Sequence, residues 1–563
     1  MATSSRSNTA SSDAERPWLH LYDEGVPPDL AARSATVLEA FDRVLAERPH
    51  DTALWYFDSP LSYDALSCQA DRLAASWAGR VESGDRVAIL NQNTPASVVG
   101  LLASWRLGAS IAPLNPMLTA REIVRHLDDA QPAAVIVGAE QAQSLHAALA
   151  EASVSPAVAV TFAGDYLVAG DHPRVLSSLR EPAELPHEWD RLKDLTAGSG
   201  RFTPRGLVPG DIAFLTYTSG TTGLPKAALN THANVAFNAE VYRRWLELGP
   251  SDVIFAAAPF SHVTGLVAHI AAAFESGAPM VLGYRFEPST VLELVARHGC
   301  TTTVAAITAY IALLDSPTFD ADQLRRFTKL YSGGAPVAPA VVERWERATG
   351  VYIRNAYGLT ETTSPSHLAP LARRAPVDAL TGSLSVGTPT PGTRCRLADP
   401  ETGEPLGPGE TVGELLIAGP QVVAGYWKKP EETARGFKDG WLRTGDLARV
   451  DDEGWFYIVD RVKDVIVASG FKVWPREVED VLLEHPAVSE AAVIGVPDEY
   501  RGETPKAFVV TRPGEAIGPA DLISFCRERL APYKAPRLVE IVEALPKTAS
   551  GKVLRRALRD GST

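Results

Sequence analysis

The sequence predicts a large α/β domain followed by a small α+β domain. Three observations carry this. The 563 residues exceed what one hydrophobic core sustains. Short apolar runs alternate with amphipathic stretches for most of the length, the pattern of buried parallel strands joined by helices. Near residue 440 that alternation gives way to hairpins and short mixed elements.

In the large part, DRVAIL (85–90), AAVIVG (133–138), IAFLTYT (212–218), TTTVAAI (301–307) and GELLIAG (413–419) read as strands. REIVRHLDDA (121–130) and TVLELVARHG (290–299) space their apolar residues as helices do. No repeat of fixed period is visible. LARVDDEGWFYIVDR (447–461) reads as two strands joined by a DDEG turn, and the charged step RVKDVIV follows it. Pro475 suits the first position of a helix with Val478, Val481 and Leu482 on its apolar face, and Pro486 stops it. Strands in AVIGV and KAFVV come next, then a helix over 519–530. The boundary falls at Arg461–Asp464, giving a large domain over 31–460, a hinge over 461–464 and a small domain over 465–563. The opening MATSSRSNTASSDAERP has no apolar core of a signal peptide, and Asp13 and Glu15 count against a transit peptide. Residues 1–30 are therefore expected to form a disordered or extended segment.

A formal net charge of -14 gives no electrostatic draw toward nucleic acid or anionic membranes, so a polyanionic ligand must be met by local cations and backbone dipoles. The four cysteines, Cys68, Cys300, Cys395 and Cys526, lie far apart without a CxxC pair, which points to a reducing compartment and no structural zinc. No apolar stretch approaches the ~18 residues that cross a bilayer, so no transmembrane segment is expected and the cytoplasm is the expected location. The oligomeric state stays open, a homodimer being compatible.

The sharpest local signal is Tyr217-Thr218-Ser219-Gly220-Thr221-Thr222-Gly223-Leu224-Pro225-Lys226, directly after the strand IAFLTYT. Two glycines let successive N–H groups converge on one point, the hydroxyls add donors, and Lys226 supplies charge, which together suit phosphate. The loop is not GxxxxGK[ST], because a proline precedes the lysine and no Ser or Thr follows it. This segment resembles the TSGTTGxPK signature of the adenylate-forming superfamily of acyl-CoA synthetases, luciferases and peptide-synthetase adenylation domains. Further motifs follow in the family's order: Ser332-Gly333-Gly334-Ala335-Pro336, Asn355-Ala356-Tyr357-Gly358-Leu359-Thr360-Glu361, Trp441-Leu442-Arg443-Thr444-Gly445-Asp446, Asp460-Arg461-Val462-Lys463-Asp464 and Leu545-Pro546-Lys547-Thr548-Ala549-Ser550-Gly551-Lys552. The resemblance spans roughly residues 35 to 558. It implies a large N-terminal domain of two packed αβ subdomains plus a β-barrel-like subdomain, joined by a hinge to the small C-terminal domain.

The resemblance also assigns roles. ATP and AMP would be held by Thr218, Ser219, Gly220, Thr221, Thr222, Gly223, Lys226, Gly334, Ala335, Pro336, Asn355, Ala356, Tyr357, Gly358, Thr360, Asp446, Arg461 and Lys552. Within that set Tyr357 offers a face to adenine, and Asp446 accepts from the ribose hydroxyls with Arg461 beside it. Glu361, with Thr221, would hold the Mg²⁺ that accompanies ATP, since hard oxygens suit that ion. Bringing a carboxylate onto a phosphate sets anion against anion, at about 4 kcal/mol for unit charges ~4 Å apart at an effective dielectric of 20. Lys552 resembles the lysine that offsets this. Lys463 occupies the hinge position, about which the small domain would turn to bring Gly470, Phe471 and Lys472 toward coenzyme A (CoA). Catalytic residues are thus Lys552, His262 and Glu361.

His262, in Pro259-Phe260-Ser261-His262-Val263-Thr264-Gly265-Leu266, matches the family's gate between acyl pocket and thiol tunnel. The pocket would be lined by His262, Thr264, Ala268, Ala306, Ile307 and Gly333, small and mostly apolar. No acidic residue lies between Asp252 and Glu275 to hold an amino group, which disfavours an α-amino acid. WLHLYDEGVPPDL (18–30) and SGFKVWPREVEDVL (469–482) resemble bacterial medium- and long-chain fatty acyl-CoA synthetases. Val467 stands where luciferases carry a second lysine, against luciferase-like oxidation. The expected activity is an ATP-dependent acid–CoA ligase of fatty acid metabolism, forming acyl-AMP and then acyl-CoA. The alternatives are an aryl acid–CoA ligase and a stand-alone adenylation enzyme that loads a carrier protein. A non-catalytic nucleotide-binding protein would need decayed motifs, whereas Lys226, Glu361, Asp446 and Lys552 are all intact.

Overall fold

The computed structural model describes residues 16–167, 185–218, 226–407, 412–468, 471–498, 501–547, 553–559 and 561. The expected strand and helix alternation is present. One sheet of seven strands runs in the order Asp190–Arg191, Ala157–Thr161, Ala134–Gly138, Arg86–Leu90, Ser110–Leu114, Ile212–Thr218 and Lys226–Thr231. All its neighbours are parallel except the last pair, a hairpin. Its central strands, Arg86–Leu90, Ser110–Leu114 and Ala134–Gly138, are buried on both faces, which is why they read as unbroken apolar runs. Helix Ala120–Ala130 covers one face with Ile123 and Leu127 and starts on a Thr119/Glu122 capping box.

A second sheet, of nine strands, has a parallel centre: Thr52–Tyr56, Met280–Leu282, Ile254–Phe255, Thr302–Ala305, Lys329–Ser332 and Ile353–Leu359. One apolar cluster joins both sheets, with Ile89 and Phe214 from the first and Leu330 and Ile353 from the second. The stretch 301–307, expected as one strand, divides: the strand ends at Ala305 and helix Ile307–Leu314 begins after Ala306.

From Arg394 onward the sheet is antiparallel. Strands Arg394–Ala398, Gly413–Ala418 and Trp441–Val450 form its centre, and Phe456–Arg461 returns along the last of them through the DDEG turn. The next strand, Ile466–Ala468, belongs to a different sheet of five strands, carried by the long hairpin of Val488–Asp498 and Gly502–Thr511. Helix Pro475–Leu483 closes a separate core with Val478 and Leu482. The last expected helix is shorter than 519–530 and ends at Arg527.

Residues 16–30 correct the expectation of a disordered or extended opening. Pro17–Leu21 form one turn of 3₁₀ helix with Trp18 and Leu21 buried, and Arg16 pairs with Asp29. The apolar residues of WLHLY pack on the body instead of facing water.

Candidate active site

The parallel ladder sets the site's floor. Ala305 pairs with Ser332, and Ser332 with Asn355, so the segments 305–306, 332–334 and 355–357 emerge side by side at the carboxyl ends of their strands. Such an edge is where α/β sheets hold ligands. The Gly333 N–H donates to the Ala305 carbonyl at 3.1 Å, and Gly334 takes a left-handed φ of 82°. Gly334 and Pro336 are exposed, and Gly333 and Ala335 half-buried, along this rim. Asn355 is buried, and its amide donates to the Ser385 carbonyl at 3.2 Å. Ala356, next to it, is buried.

One wall joins Tyr357, Asp446 and Arg461. Asp446 and Arg461 face each other across the Trp441–Val450/Phe456–Arg461 ladder. The Tyr357 hydroxyl donates to Asp446 Oδ2 at 2.7 Å, and Arg461 Nε lies 3.2 Å from Asp446 Oδ1. Burial, reinforced by the Asp446 carboxylate, raises the Tyr357 pKa far above its ordinary value, so the phenol stays neutral. Asp446 raises that of Arg461, which keeps its charge. Buried Glu414 supports this wall from behind: it pairs with Arg443 and accepts the Gly445 N–H at 3.2 Å.

The opposite wall is the turn 359–364. Thr363 and Ser364 adopt φ of 51° and 87°, costly for residues with a Cβ. Two buried asparagines hold the turn. Asn230 donates to the Thr360 carbonyl and the Thr363 hydroxyl, both at 3.0 Å, while Asn238 donates to the carbonyls of Thr362, Thr363 and Pro365 at 3.0, 2.7 and 3.2 Å. Gly358 must lack a side chain, because a Cβ there would sit 1.8 Å from the Ser364 carbonyl oxygen. The turn presents Glu361, whose Oε1 accepts from the Tyr426 hydroxyl at 2.7 Å, and Lys226 Nζ lies 5.3 Å from the Tyr426 ring centre. Thr218 and Lys226 are opposite residues at the mouth of their hairpin. Ser219, Gly220, Thr221, Thr222 and Gly223, the loop they bracket, lie outside the described residues, as do Gly470 and Lys552.

Near the expected pocket, the Thr264 N–H donates to His262 Nδ1 at 3.2 Å, which leaves the ring proton on Nε2. A Cβ on Gly265 would meet the Pro259 carbonyl oxygen at 2.2 Å, so the chain turns there at close quarters into a π-helix, Gly265–Ala271. That helix packs against strand Thr302–Ala305. Ala268 and Ile307 are buried, with Thr264 and Ala306 half-buried.

In the small domain Phe471 is exposed and stacks on Tyr533, with ring centres 4.8 Å apart. Asp399 is held below the usual carboxylate range first by the Thr402 and Glu401 N–H groups and, more weakly, by Lys472. Among the described residues no hydrogen bond or ion pair joins either residue to Tyr357, Glu361 or Asp446. Lys463 is exposed beside Asp464, which is buried and pairs with Arg555 and Arg559.

Sequence reasoning missed Tyr426, Asn230, Asn238, Glu414 and Arg555. Tyr426 had a faint signal in the Gly-Tyr-Trp run 425–427, and Arg555 lies three residues past Lys552 in a basic stretch. The asparagines carry no local pattern, since what they hold is distant in sequence.

Comparison with known proteins accords with this geometry. The family described as AMP-binding enzyme matches residues 41–427, and AMP-binding enzyme C-terminal domain matches 477–552. The long-chain-fatty-acid–CoA ligase of Bacillus subtilis (strain 168) is 34% identical, over 98% of this chain and 99% of that protein. A feruloyl-CoA synthase of Amycolatopsis is 36% identical, over 91% of this chain and 96% of its own. Among solved structures, an anthranilate CoA ligase in complex with anthranoyl-AMP superposes with a TM-score of 0.83 at 28% identity, covering 96% of this chain and 98% of its own. ATP-bound MatB from Rhodopseudomonas palustris gives 0.80 at 30%, covering 93% and 98%.

Proposed function

The chain belongs to the AMP-binding enzyme family and is an AMP-forming, ATP-dependent acid–CoA ligase, and from that premise we propose that its acid is a medium- or long-chain fatty acid. The observation that carries this is the material of the expected pocket: Thr264, Ala268, Ala306 and Ile307 carry no charge, and His262 is the one ionisable side chain among them. Such a lining desolvates an alkyl chain at roughly 0.8 kcal/mol per buried CH₂ and has no group for an ammonium. The ligases of long-chain fatty acids among its relatives support the same reading.

In the first half-reaction a carboxylate oxygen of the acid attacks the α-phosphorus of ATP, and the bond to pyrophosphate breaks. In the second, the CoA sulfur, having lost its proton, attacks the acyl carbon and AMP leaves. We assign Tyr357 to the adenine, Asp446 with Arg461 to the ribose, and Lys226 with the adjacent 219–225 loop to the phosphates. Lys552 would offset the two anions where they meet. Asp446 suits its part because it is buried and its carboxylate is fixed by Tyr357 at one oxygen and Arg461 at the other. The His262 Nε2–H would stand between acid and thiol.

Glu361 fits Mg²⁺: it is a hard carboxylate on a fixed turn, and Tyr426 engages only one of its oxygens. When bound, the ion would neutralise phosphate charge, with Thr221 as the second protein ligand. We place the enzyme in the cytoplasm, where ATP and CoA are supplied; no helix among the described residues is long and apolar enough to cross a membrane.

The second reading, an aryl acid, draws on the feruloyl-CoA synthase and the anthranilate ligase. AMP release measured with acetate, octanoate, palmitate, benzoate, coumarate and several amino acids, with and without CoA, separates the readings. CoA-dependent turnover with octanoate or palmitate is expected. Turnover with coumarate alone would replace the fatty acid by an aryl one, and pyrophosphate release indifferent to CoA would point to a carrier protein.

A further inference from the structure

The opening residues are clamped to the body at several points. The Tyr22 hydroxyl donates to the Pro389 carbonyl at 2.6 Å, and Asp23 accepts from the N–H groups of Leu371 and Ala372 at 2.6 and 3.2 Å. The Gly392 N–H donates to the Pro28 carbonyl at 2.9 Å. At the centre stands Trp18, 3% exposed and, with Leu21, one of the two residues by which the strap Pro17–Leu21 is buried. Gly454, at φ 89°, is bare where the strap crosses it, since a Cβ there would lie 2.7 Å from Trp18 Cα.

From Trp18 a file of rings leads inward to the nucleotide site. Trp18 meets Phe456 edge-on at 5.6 Å, Phe456 meets His367 at 4.8 Å, and His367 meets Tyr357 edge-on at 5.6 Å. His367 and Tyr357 are opposite residues of one ladder. Trp18 and Phe456 share one apolar cluster, and Tyr357 packs against it. Burial depresses the His367 pKa to about 3 and raises that of Cys395, whose Sγ lies 3.6 Å from His367 Nε2. Thiol and imidazole are therefore both neutral, and the pair is packing, not a nucleophile and its base.

We propose that the strap 17–23 is a positioning element for the nucleotide site: Trp18, acting through Phe456 and His367, fixes the plane of Tyr357 and so sets ATP affinity without touching the nucleotide. The proposal rests on the reading of Tyr357 as the adenine platform. An aromatic ring has few ways to be held flat from one side, because its faces slide freely on aliphatic neighbours. The two end contacts of the file are edge-to-face and the middle one is tilted, and such ring pairs are directional and contribute beyond the area they bury. Tyr357 is held at its hydroxyl by Asp446 and at its ring by His367, so the loss of either support frees one rotation.

The test compares the full-length wild type with Trp18→Leu, Trp18→Phe and Tyr357→Ala. It measures ATP binding without acid, and kcat and KM for both ATP and acid. Trp18→Leu keeps the apolar fill and loses the ring, and should weaken ATP binding and raise its KM about 3- to 10-fold. The kcat and the acid KM should stay within about twofold, and Trp18→Phe should recover most of the loss. If Tyr357→Ala weakens ATP binding and Trp18→Leu does not, the strap proposal is wrong and the adenine assignment stands. If Tyr357→Ala leaves ATP binding unchanged, the adenine assignment itself fails and takes the proposal with it. Parallel damage to kcat and both KM values would mark Trp18 as general core and overturn a positioning role. Should Trp18→Leu not fold, Tyr22→Phe removes only the Pro389 clamp. A rise of about twofold in ATP KM is then expected, and no rise counts against the strap.

Discussion

The two halves of the site are held in opposite ways. Around Glu361 every support lies inside the large domain: Asn230 and Asn238 spend their amide hydrogens on a turn with two left-handed residues. At the hinge the supports cross from one domain to the other. Asp460, on the last strand of the large domain, accepts the Arg476 N–H at 3.1 Å and lies 3.4 Å from Arg555 Nη1, while Arg476 reaches back to the carbonyls of Ile458 and Val337. Arg555 keeps further partners, Glu479 in its own domain at 2.8 Å and Asp464 at the hinge at 3.4 Å. Removing one member of a buried pair is costly because it strands a charge. An arginine with reserve partners escapes that cost. The first half is braced within one domain and the second across two, and four predictions separate them.

The largest effect belongs to the lysine proposed to offset the two anions. Lys552→Ala should slow adenylate formation by about 10²- to 10³-fold, the scale of one lost transition-state contact, and spare thioester formation from preformed acyl-AMP. A normal rate of adenylation would withdraw Lys552 from its role. Within the fixed half, Gly358→Ala forces a methyl into the Ser364 carbonyl and should displace the Glu361 turn, costing several kcal/mol of stability by chemical denaturation, at the upper end for overpacking. A variant as stable as the wild type would mean that the turn yields.

pH should divide the domains as well. In the large domain, burial depresses His232 and His269 to about 4 and His367 to about 3. Unfolded, these rings take protons near pH 6.5, so their contribution is whole above that value and is lost as pH falls toward about 4. In the small domain Asp480 is raised to about 7, first by burial, with Arg476 opposing and Glu479 adding to the rise. The folded state then keeps a proton that the unfolded chain has released, and stability falls as pH rises from about 4 to about 7. Hydrogen exchange followed by domain at pH 5 and pH 8 should show the large domain weaker at pH 5 and the small one weaker at pH 8. Asp480→Asn should abolish the second trend, and matching trends in both domains would contradict the assignment.

What the sequence revealed follows the same division. Strands buried on both faces are uninterrupted apolar runs, so Arg86–Leu90, Ala134–Gly138 and Ile212–Thr218 were legible, and a hairpin announces itself by its turn residues, as at 451–454. Motif residues such as Tyr357, Asp446 and Arg461 were legible because the resemblance fixes them by order. Their supports were not. Asn238 reaches a turn 124 residues away, and Tyr426 reaches Glu361 across 65. No local periodicity encodes such a contact. The ordering of 16–30 escaped for a related reason: a polar tail and a strap with one buried tryptophan differ by only a few side chains.

The smallest expected effect is the most telling about the hinge. Asp460→Asn keeps an oxygen to accept the Arg476 N–H but removes the charge that faces Arg555. Arg555 falls back on Glu479 and Asp464, so global stability should change by less than about 1 kcal/mol. On the reading that the small domain turns about Lys463, the variant removes a contact that holds the orientation seen here. The half-reaction served by this orientation should therefore slow about 3- to 10-fold relative to the other, as a shift in populations and not as a loss of chemistry. Rapid-quench measurement of both half-reactions decides it. An equal fall in both would mean that Asp460 only braces the fold, and a large loss of stability would mean that Arg555 has no real second choice.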